Sequence, residues 1–580
     1  YKSNILTCTR QFAYSTQNHN TIDVVLSLNG IPVVALELKN QLTGQSVENA
    51  KRQFMYDRDE KEFCFKFNNR FLVYFAVDLY EVAMTTHLQG ANTYFLPFNQ
   101  GSNGAGNIGD GGNPANPEGY ATSYLWERVL QRDMLLALLQ RYISRQETTE
   151  ISLQKGKQVK KTSVKLISPR YHQLDVVEKL VNTTKQLTQG RSFLIQHSAG
   201  SGKSNSIAWL TYRLASLHND NNKELFQTVF VITDRRVLNR QLQDTICGFD
   251  HKIGQIETIT DKDNSSKLKD AINDGKRIII TTLHRFPIIY KELDGHSGKN
   301  FAIIVDEAHS SQSGKSAEKL KAALADTDEA LREMAEWEEK TEAEIKDEMD
   351  VMTETLLTQG THKNLYFYAF TATPKPKTLQ TFGEPQPDGT YDAFHHYSMR
   401  QAIDEGFIED VLKYYTTIET SYEIAKAVSE NPEYDEPPAA RAIRNYHDNH
   451  EFVLQQKIEV IVEKFREITL NKIGGKAKAM IITPSRKHAV CYKLAVDAYL
   501  KKRGCGFRSC VAFTGTIELD GVKFTEEAMN KEFMENGVPY DIKSIIRNND
   551  DLRIVIVADK LQTGFDENKL CVMYIDKKLG

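Results

Sequence analysis

Apolar residues in this chain gather in short runs, and the rhythm of the runs changes along its length. From residue 1 to about 145 the pattern is mixed: runs at 21–28, 31–38 and 71–77 predict strands, and 46–56 and 123–143 carry helical spacing. Between them, 101–119 is rich in Gly, Asn and Pro and reads as loop. A polar connector follows at about 146–165. Beyond it, apolar runs at 193–196, 229–233, 278–281, 302–305 and 365–370 alternate with helical segments, and a second series follows at 479–483, 510–513, 554–558 and 571–575. Continuous Val/Ile runs of this kind predict parallel strands buried on both faces. The predicted fold class is therefore α/β: an α+β domain (1–145), a linker (146–165) and two tandem parallel-sheet domains (166–395 and 396–580). Two stretches interrupt the rhythm, an acidic helix-forming one at 316–361 and a mixed one at 419–463, and both are expected to be helical excursions without chemistry.

Composition narrows the picture modestly. With 580 residues, 40% hydrophobic and 26% charged, the chain has the balance of a soluble protein of several domains. No run approaches the roughly 20 apolar residues that span a bilayer, so no membrane role and a cytoplasmic location are expected. The seven cysteines are scattered without a C-x₂-C pair, which fits a reducing compartment and no structural zinc. A net charge of −4 leaves nucleic-acid binding open, because loop hydroxyls, backbone N–H groups and local basic stretches can hold phosphates. The basic stretch 155–165 is taken as solvated linker. Both ends of the sequence fall within folded-looking patterns, so it reads as a piece of a longer chain.

The strongest chemical signal is Ser198-Ala199-Gly200-Ser201-Gly202-Lys203-Ser204, which follows a strand and opens a helix. Glycines allow backbone N–H groups to close around a β-phosphate, Lys203 can reach the β/γ oxygens, and Ser204 can ligate Mg²⁺. His197 stands where the usual phosphate-loop pattern has its first Gly. About 100 residues on, the strand 302–305 ends in Asp306-Glu307-Ala308-His309. Asp306 can hold Mg²⁺ through water and Glu307 can deprotonate the attacking water. The cofactors implied are ATP and Mg²⁺. The match G-A-G-N-I-G at 104–109 lacks the strand and helix of a dinucleotide site and is discounted.

These residues resemble a superfamily-two, DEAH-like helicase motor, which implies two RecA-like domains. In that resemblance Arg170-Tyr171-His172-Gln173 is the adenine-reading motif, with Arg170 and Gln173 as contacts. Thr233-Asp234-Arg235 and Thr281-Thr282-Leu283-His284-Arg285 are DNA-backbone contacts, Thr371-Ala372-Thr373-Pro374 couples hydrolysis to movement, and Gly564 and Asp566 belong to a late nucleotide-binding motif. The family's closing arginine motif is not found before Gly580, so poor hydrolysis by this stretch alone is expected.

A second constellation lies upstream. Glu37 and Lys39 share one face of a predicted strand, and Asp23 lies on the strand before it. Asp23 and Glu37 can share Mg²⁺ while Lys39 activates water or stabilises developing charge. A regular two-residue turn at Asn29-Gly30 would place Asp23 opposite Leu36, turned away from Glu37, so one bulge is predicted, favoured by Pro32. The pattern resembles the PD-(D/E)xK nucleases, which implies further catalytic roles for Gln53 and Tyr56, although these are three apart where the family spaces them by four.

A PD-(D/E)xK domain ahead of a DEAH-like motor resembles the R subunit of type I restriction-modification enzymes. The stretches Asn20-Thr21-Ile22-Asp23 and Phe95-Leu96-Pro97-Phe98-Asn99 carry the same resemblance. It implies ATP-driven translocation of double-stranded DNA, Mg²⁺-dependent cleavage, and methyltransferase and specificity subunits as partners. Type III restriction subunits carry the nuclease after the motor, and a repair helicase would unwind strands. An inactive nuclease-like module beside a remodelling motor fits poorly with intact Asp23, Glu37 and Lys39.

Overall fold

The computed structural model describes residues 3–16, 18–154, 157–233, 245–246, 256–259, 263, 265–283, 289, 299–308, 364–410, 451–519, 521–534, 540–562 and 565–577. The described residues up to Asp410 form one compact unit and those from Glu451 a second. Much of the expected excursion at 419–463, all of that at 316–361, and the expected contacts at 234–235, 284–286, 309 and 564 lie outside the described residues.

The first unit opens with a six-stranded mixed sheet: β1 (Leu6–Ala13), β2 (Thr21–Leu28), β3 (Ile31–Leu38), β4 (Val73–Val77), β5 (Val82–Thr85) and β6 (Leu96–Pro97), in that spatial order. β4 is buried along its whole length, whereas β1, at the edge, is largely exposed. Only β3 and β4 run parallel. The β2–β3 hairpin turns on Asn29 (φ 52°) and Gly30 (φ 81°), the left-handed pair of an Asn-Gly turn. Beyond the turn the pairing slips: Leu28 faces Ile31 and Ser27 faces Pro32, but Leu26 faces Val34 and Val24 faces Leu36. The expected bulge is present. One extra residue on β3 at Pro32–Val34 reverses which face of β2 follows Glu37.

The helix expected at 46–56 is α1 (Val47–Arg52) continued by a π turn, Gln53–Asp57. That expected at 123–143 is broken into π turns Leu125–Val129 and Leu138–Tyr142 around α2 (Arg132–Ala137). The polar connector is not an open linker. It forms an antiparallel ribbon, β7 (Ser144–Gln154) with β8 (Lys157–Ile167). Thr86 ties its base down through a hydrogen bond to the Leu166 carbonyl (2.7 Å).

After α3 (Tyr171–Gln186) come β9 (Ser192–His197), α4 (Lys203–Ala215), β10 (Thr228–Thr233), β11 (Ile256–Thr258), β12 (Ile278–Thr282), β13 (Phe301–Val305), β14 (Leu365–Thr371), a short antiparallel pair β15 (Glu384–Pro385) and β16 (Tyr391–Asp392), and β17 (His395–Tyr397). Seven of these make one all-parallel sheet, ordered β11-β12-β10-β13-β14-β9-β17. The boundary expected at 395/396 therefore cuts a strand of the first sheet, and the helix Met399–Asp404 belongs to the first unit as well.

The two sheets of this unit share a core. Phe98 packs on Phe75 and on Tyr171 (ring centres 5.3 and 5.5 Å apart), and Tyr124 packs on Tyr171 at 4.8 Å. The glycine-rich stretch is a loop, as its composition predicts, and it is strapped to the parallel-sheet layer. Lys179 donates to the Ala105 carbonyl (2.7 Å), the His396 N–H to Gly106 (2.9 Å), Ser398 to Gly109 (2.7 Å), and the Gly111 N–H to Asp404 (3.1 Å). A Cβ on Gly106 would lie 2.8 Å from the His395 ring, so only glycine permits this approach.

The second unit holds β18 (Lys478–Ile482), β19 (Arg508–Ala512), an antiparallel pair β20 (Thr516–Leu519) and β21 (Val522–Thr525), β22 (Leu552–Val557) and β23 (Leu570–Ile575). Four of them form a parallel sheet, β19-β22-β18-β23. Ile458, Val462 and Phe465 pack with Val490 and Val496 of the helix Arg486–Arg503 over that sheet.

Candidate active sites

The slipped hairpin register brings the three upstream residues together. Asp23 accepts the Leu38 N–H on Oδ2 (2.8 Å) and the Gln11 amide on Oδ1 (3.3 Å), and the Lys39 ammonium lies 3.9 Å from Oδ2. Glu37, fully buried at the same end of β3, is met by Arg58, whose Nε and Nη2 both donate to Oε1 (3.0 and 2.6 Å). Its second oxygen, Oε2, is buried without a hydrogen-bond partner. Burial pushes the Glu37 carboxyl up to about 7, opposed by the Arg58 charge and assisted by that of Asp23. An unpartnered carboxylate oxygen beside a second carboxylate fits a divalent cation, with Asp23 and Glu37 as its protein ligands.

Gln53 and Tyr56 do not join this cluster. Neither hydrogen-bonds the carboxylates, and Tyr56 is 67% exposed. The π turn spreads more residues over each turn than an α-helix does, so the side chain delivered to the carboxylates is Arg58, just after it. The expected roles of Gln53 and Tyr56 are accordingly not supported by this geometry. Arg58 escaped sequence reading because nothing in its local pattern separates a buried arginine from a solvated one.

At the other site, β9 delivers a loop, 198–202, to the N-terminus of α4, with Gly200 and Gly202 in left-handed conformations (φ 74° and 77°). Ala199 and Gly200 face solvent, while the buried hydroxyls of Ser198 and Ser201 have no hydrogen-bond partner. These unmatched donors at a helix N-terminus suit an anionic ligand. Lys203 reaches 3.4 Å from Glu307, Ser204 is half-buried behind it, and Asp306 is buried at the tip of β13 with its N–H on the Ile232 carbonyl (2.9 Å). Glu307 adopts φ 53°, a left-handed conformation that costs a non-glycine residue about 1 kcal/mol or more and clusters at functional positions.

Arg170 and Gln173 grip this loop. Arg170 donates to the Gly200 carbonyl (3.2 Å) and stacks its guanidinium on Phe407 (3.7 Å). The Gln173 amide donates to the Gly202 and Ser201 carbonyls (2.9 and 3.3 Å), and its oxygen accepts the Arg170 N–H (2.9 Å). Gln173 is thus occupied at both ends by the protein, and its arrangement here is that of a loop brace, where the sequence suggested an adenine contact.

Behind the loop runs a buried chain of imidazoles. His172 bonds the Ser201 carbonyl (3.0 Å) and stacks on Tyr397 (3.7 Å); His197 Nε2 meets His395 Nδ1 (2.9 Å), and His395 Nε2 meets Asp175 (3.0 Å). Burial lowers all three histidine pKa values, so each is neutral. Neutrality fixes the tautomers: His395 donates to Asp175 and accepts from His197. That explains His197 where a phosphate loop usually has Gly.

In the second unit, Asp559 and Leu561 take left-handed conformations (φ 56° and 65°) in the loop after β22, and the exposed Asp566 accepts Arg547 on its carbonyl (3.0 Å).

The fold and these sites define a chain with a strand-borne two-carboxylate site beside a phosphate-loop, parallel-sheet layer. Residues 172–436 match the SWI2/SNF2 ATPase family, and residues 1–93 match the type I restriction enzyme R protein N terminus. The curated relatives that the chain resembles are type I restriction enzyme endonuclease subunits. It is 23% identical to a protein of Methanocaldococcus jannaschii named as the type I restriction enzyme MjaVIIIP endonuclease subunit, covering 100% of this chain and 54% of that one. It is also 23% identical to the HindI endonuclease subunit of Haemophilus influenzae, covering 96% and 48%. The chain thus spans about half the length of the curated relatives it matches. A fragment structure of an HsdR subunit from Vibrio vulnificus aligns over 97% of this chain and 80% of that one, at 13% identity and a TM-score of 0.38.

Proposed function

We propose that this chain carries the nuclease and motor of a type I restriction subunit, coupling ATP-driven translocation of double-stranded DNA to Mg²⁺-dependent endonucleolytic cleavage. The mixed sheet is read as a PD-(D/E)xK nuclease, and the two parallel sheets as RecA-like motor domains. The observation that carries the reading is the slipped β2–β3 register, which gathers Asp23, Glu37 and Lys39 at one strand end.

In the nuclease, Asp23 and Glu37 would hold Mg²⁺. The cation when bound acidifies water and stabilises negative charge on the scissile phosphate. Lys39, fixed beside Asp23, presents an ammonium to the same phosphate. In the motor, the loop 198–202 and Lys203 would bind the phosphates of ATP, Ser204 and Asp306 would hold its Mg²⁺, and Glu307 is placed to take a proton from water. The Lys203–Glu307 pair would part when nucleotide enters, each turning to its own partner. Late-motif residues Gly564 and Asp566 complete the assignment in the second motor domain. Duplex DNA is the substrate, and methyltransferase and specificity subunits are the partners that supply the target.

The test uses the full-length protein with its partner subunits on unmethylated plasmid. Lys39→Ala should retain DNA-stimulated ATP hydrolysis and lose cutting, whereas Lys203→Ala should lose both. Cutting by Lys39→Ala at the wild-type rate would remove the nuclease assignment.

A further inference from the structure

Arg58 leaves the π turn in extended backbone (φ −114°, ψ 105°), and its guanidinium is buried. Its donors are unevenly spent. Nε and Nη2 converge on Oε1 of Glu37, and Nη2 also donates to the Thr21 carbonyl (2.8 Å). Tyr14 closes the outer side, its ring centre 5.3 Å from the guanidinium carbon. Thr21 lies on β2, two residues before Asp23, and Glu37 lies on β3. One guanidinium therefore ties together the two strands that carry the two carboxylates.

A pair built only for stability would use both carboxylate oxygens, in the parallel two-bond geometry that Arg and carboxylates prefer. Here both bonds fall on one oxygen, and Oε2 stays buried and unpartnered. An unmatched buried carboxylate oxygen is costly unless something else binds it. We propose that Arg58 is a positioning residue for the cleavage reaction: it locks Glu37 through Oε1 so that Oε2 is presented, with Asp23, to a divalent cation. The inference rests on the nuclease reading above. It assigns Arg58 no contact with DNA or with the reacting phosphate. Its work is to hold a ligand's rotamer and the hairpin register.

The experiment measures Mn²⁺ binding to the full-length protein, following the paramagnetic signal of the free ion. It is done without nucleotide and in an Asp306→Asn background, which weakens the motor's own metal position. Glu37→Gln, Arg58→Lys and Arg58→Gln are compared, each with a thermal unfolding curve recorded without metal. Residues that orient metal ligands typically change affinity by about 10- to 100-fold. Arg58→Lys and Arg58→Gln are expected to weaken Mn²⁺ binding at this site by about tenfold or more. Arg58→Lys keeps the charge, so it carries the comparison if Arg58→Gln does not fold. If Glu37→Gln abolishes a binding event that both Arg58 variants retain at full affinity, the positioning role is refuted and the nuclease reading stands. If Glu37→Gln binds Mn²⁺ like the parent, no metal site exists there and both readings fall.

Discussion

Asp175 joins the mixed-sheet layer to the phosphate-loop layer, and its replacement by Asn tests whether that joint is electrostatic. Its side chain is fully buried on α3, 2.6 Å from Arg128, 2.7 Å from Lys179 and 3.0 Å from His395. Burial pushes its carboxyl upward, but the His395 hydrogen bond and the charges around it, Lys179 and Arg128 included, prevail and hold it far below the usual carboxylate range. Asn keeps the size and can still accept from His395, so the substitution removes charge with little change of shape. Removing one partner of a fully buried ion pair costs about 3–5 kcal/mol. Here the cations are partly wet, Arg128 being 42% and Lys179 40% exposed, so water recovers part of their solvation. Each pairing is then worth nearer 1 kcal/mol, and a loss of about 2–3 kcal/mol is expected.

The assay is urea unfolding of Asp175→Asn, Arg128→Met and the double variant, read on the transition of the first unit. A coupling of about 1 kcal/mol between the two sites is expected. Acid supplies the control. A carboxyl whose folded pKa is depressed contributes stability above its unfolded pKa, near 3.9, and loses it as pH falls toward the folded value. The difference between parent and Asp175→Asn should therefore be full at pH 7 and shrink below about pH 4. A loss under about 0.5 kcal/mol, or one unchanged down to pH 3, would refute the electrostatic account.

Two further outcomes follow from the sites. Gly202→Ala forces a side chain into a left-handed position (φ 77°) with its Cβ 2.5 Å from the Gln173 amide nitrogen, so a fluorescent ATP analogue should bind more than about tenfold more weakly while Mn²⁺ binding at Glu37 is unaltered. At the Asp23–Glu37 site, with the Glu37 carboxyl near 7, Mn²⁺ affinity should rise about fivefold from pH 6 to 7 and about tenfold from pH 6 to 8, then level off, with a proton released on binding below pH 7. The sign for stability is opposite: a carboxyl raised in the fold favours the metal-free protein below about pH 4.5 and loses that contribution as pH climbs through 7. Calorimetry in two buffers of different ionisation enthalpy counts that proton, and affinity flat from pH 6 to 8 would contradict it.

The sequence was informative where chemistry is local and silent where it depends on distant packing. The phosphate loop, Asp306 and Glu307 were legible because each sits at a strand end, next to residues whose type the geometry dictates. The hairpin bulge was legible too, since Pro32 and the need for Asp23 to face Glu37 point to one irregularity. Arg58, His395 and the brace role of Gln173 were not. Arg58 meets Glu37 across 21 positions and His395 meets Asp175 across 220, and no periodicity records such pairings. The ribbon at 144–167 was hidden because its largely polar sequence carries no sustained apolar alternation.

What looked like three separable modules in the sequence is, in the first unit, one structure with two chemistries at strand tips. Glu37 and Lys39 lie at the C-terminal end of β3, the phosphate loop follows β9, and Asp306 and Glu307 follow β13. At such tips the sheet's hydrogen bonding stops, so backbone groups and charged side chains can face a ligand while the strand behind them stays anchored. The anchoring is shared. Val34 and Phe75 from the mixed sheet, with Phe98 just after β6, belong to the same buried cluster as Ile195 and Ile304 from the parallel sheet and Tyr171 of α3. Exposing such aromatic surface by parting the layers would cost several kcal/mol, at about 25 cal/mol per Å². The glycine loop 101–112 adds hydrogen bonds across the same joint, and Gly106 lies against His395, whose ring also meets His197, the last residue before the phosphate loop. The phosphate loop is thus linked, through His197 and His395, to the backbone of the glycine loop.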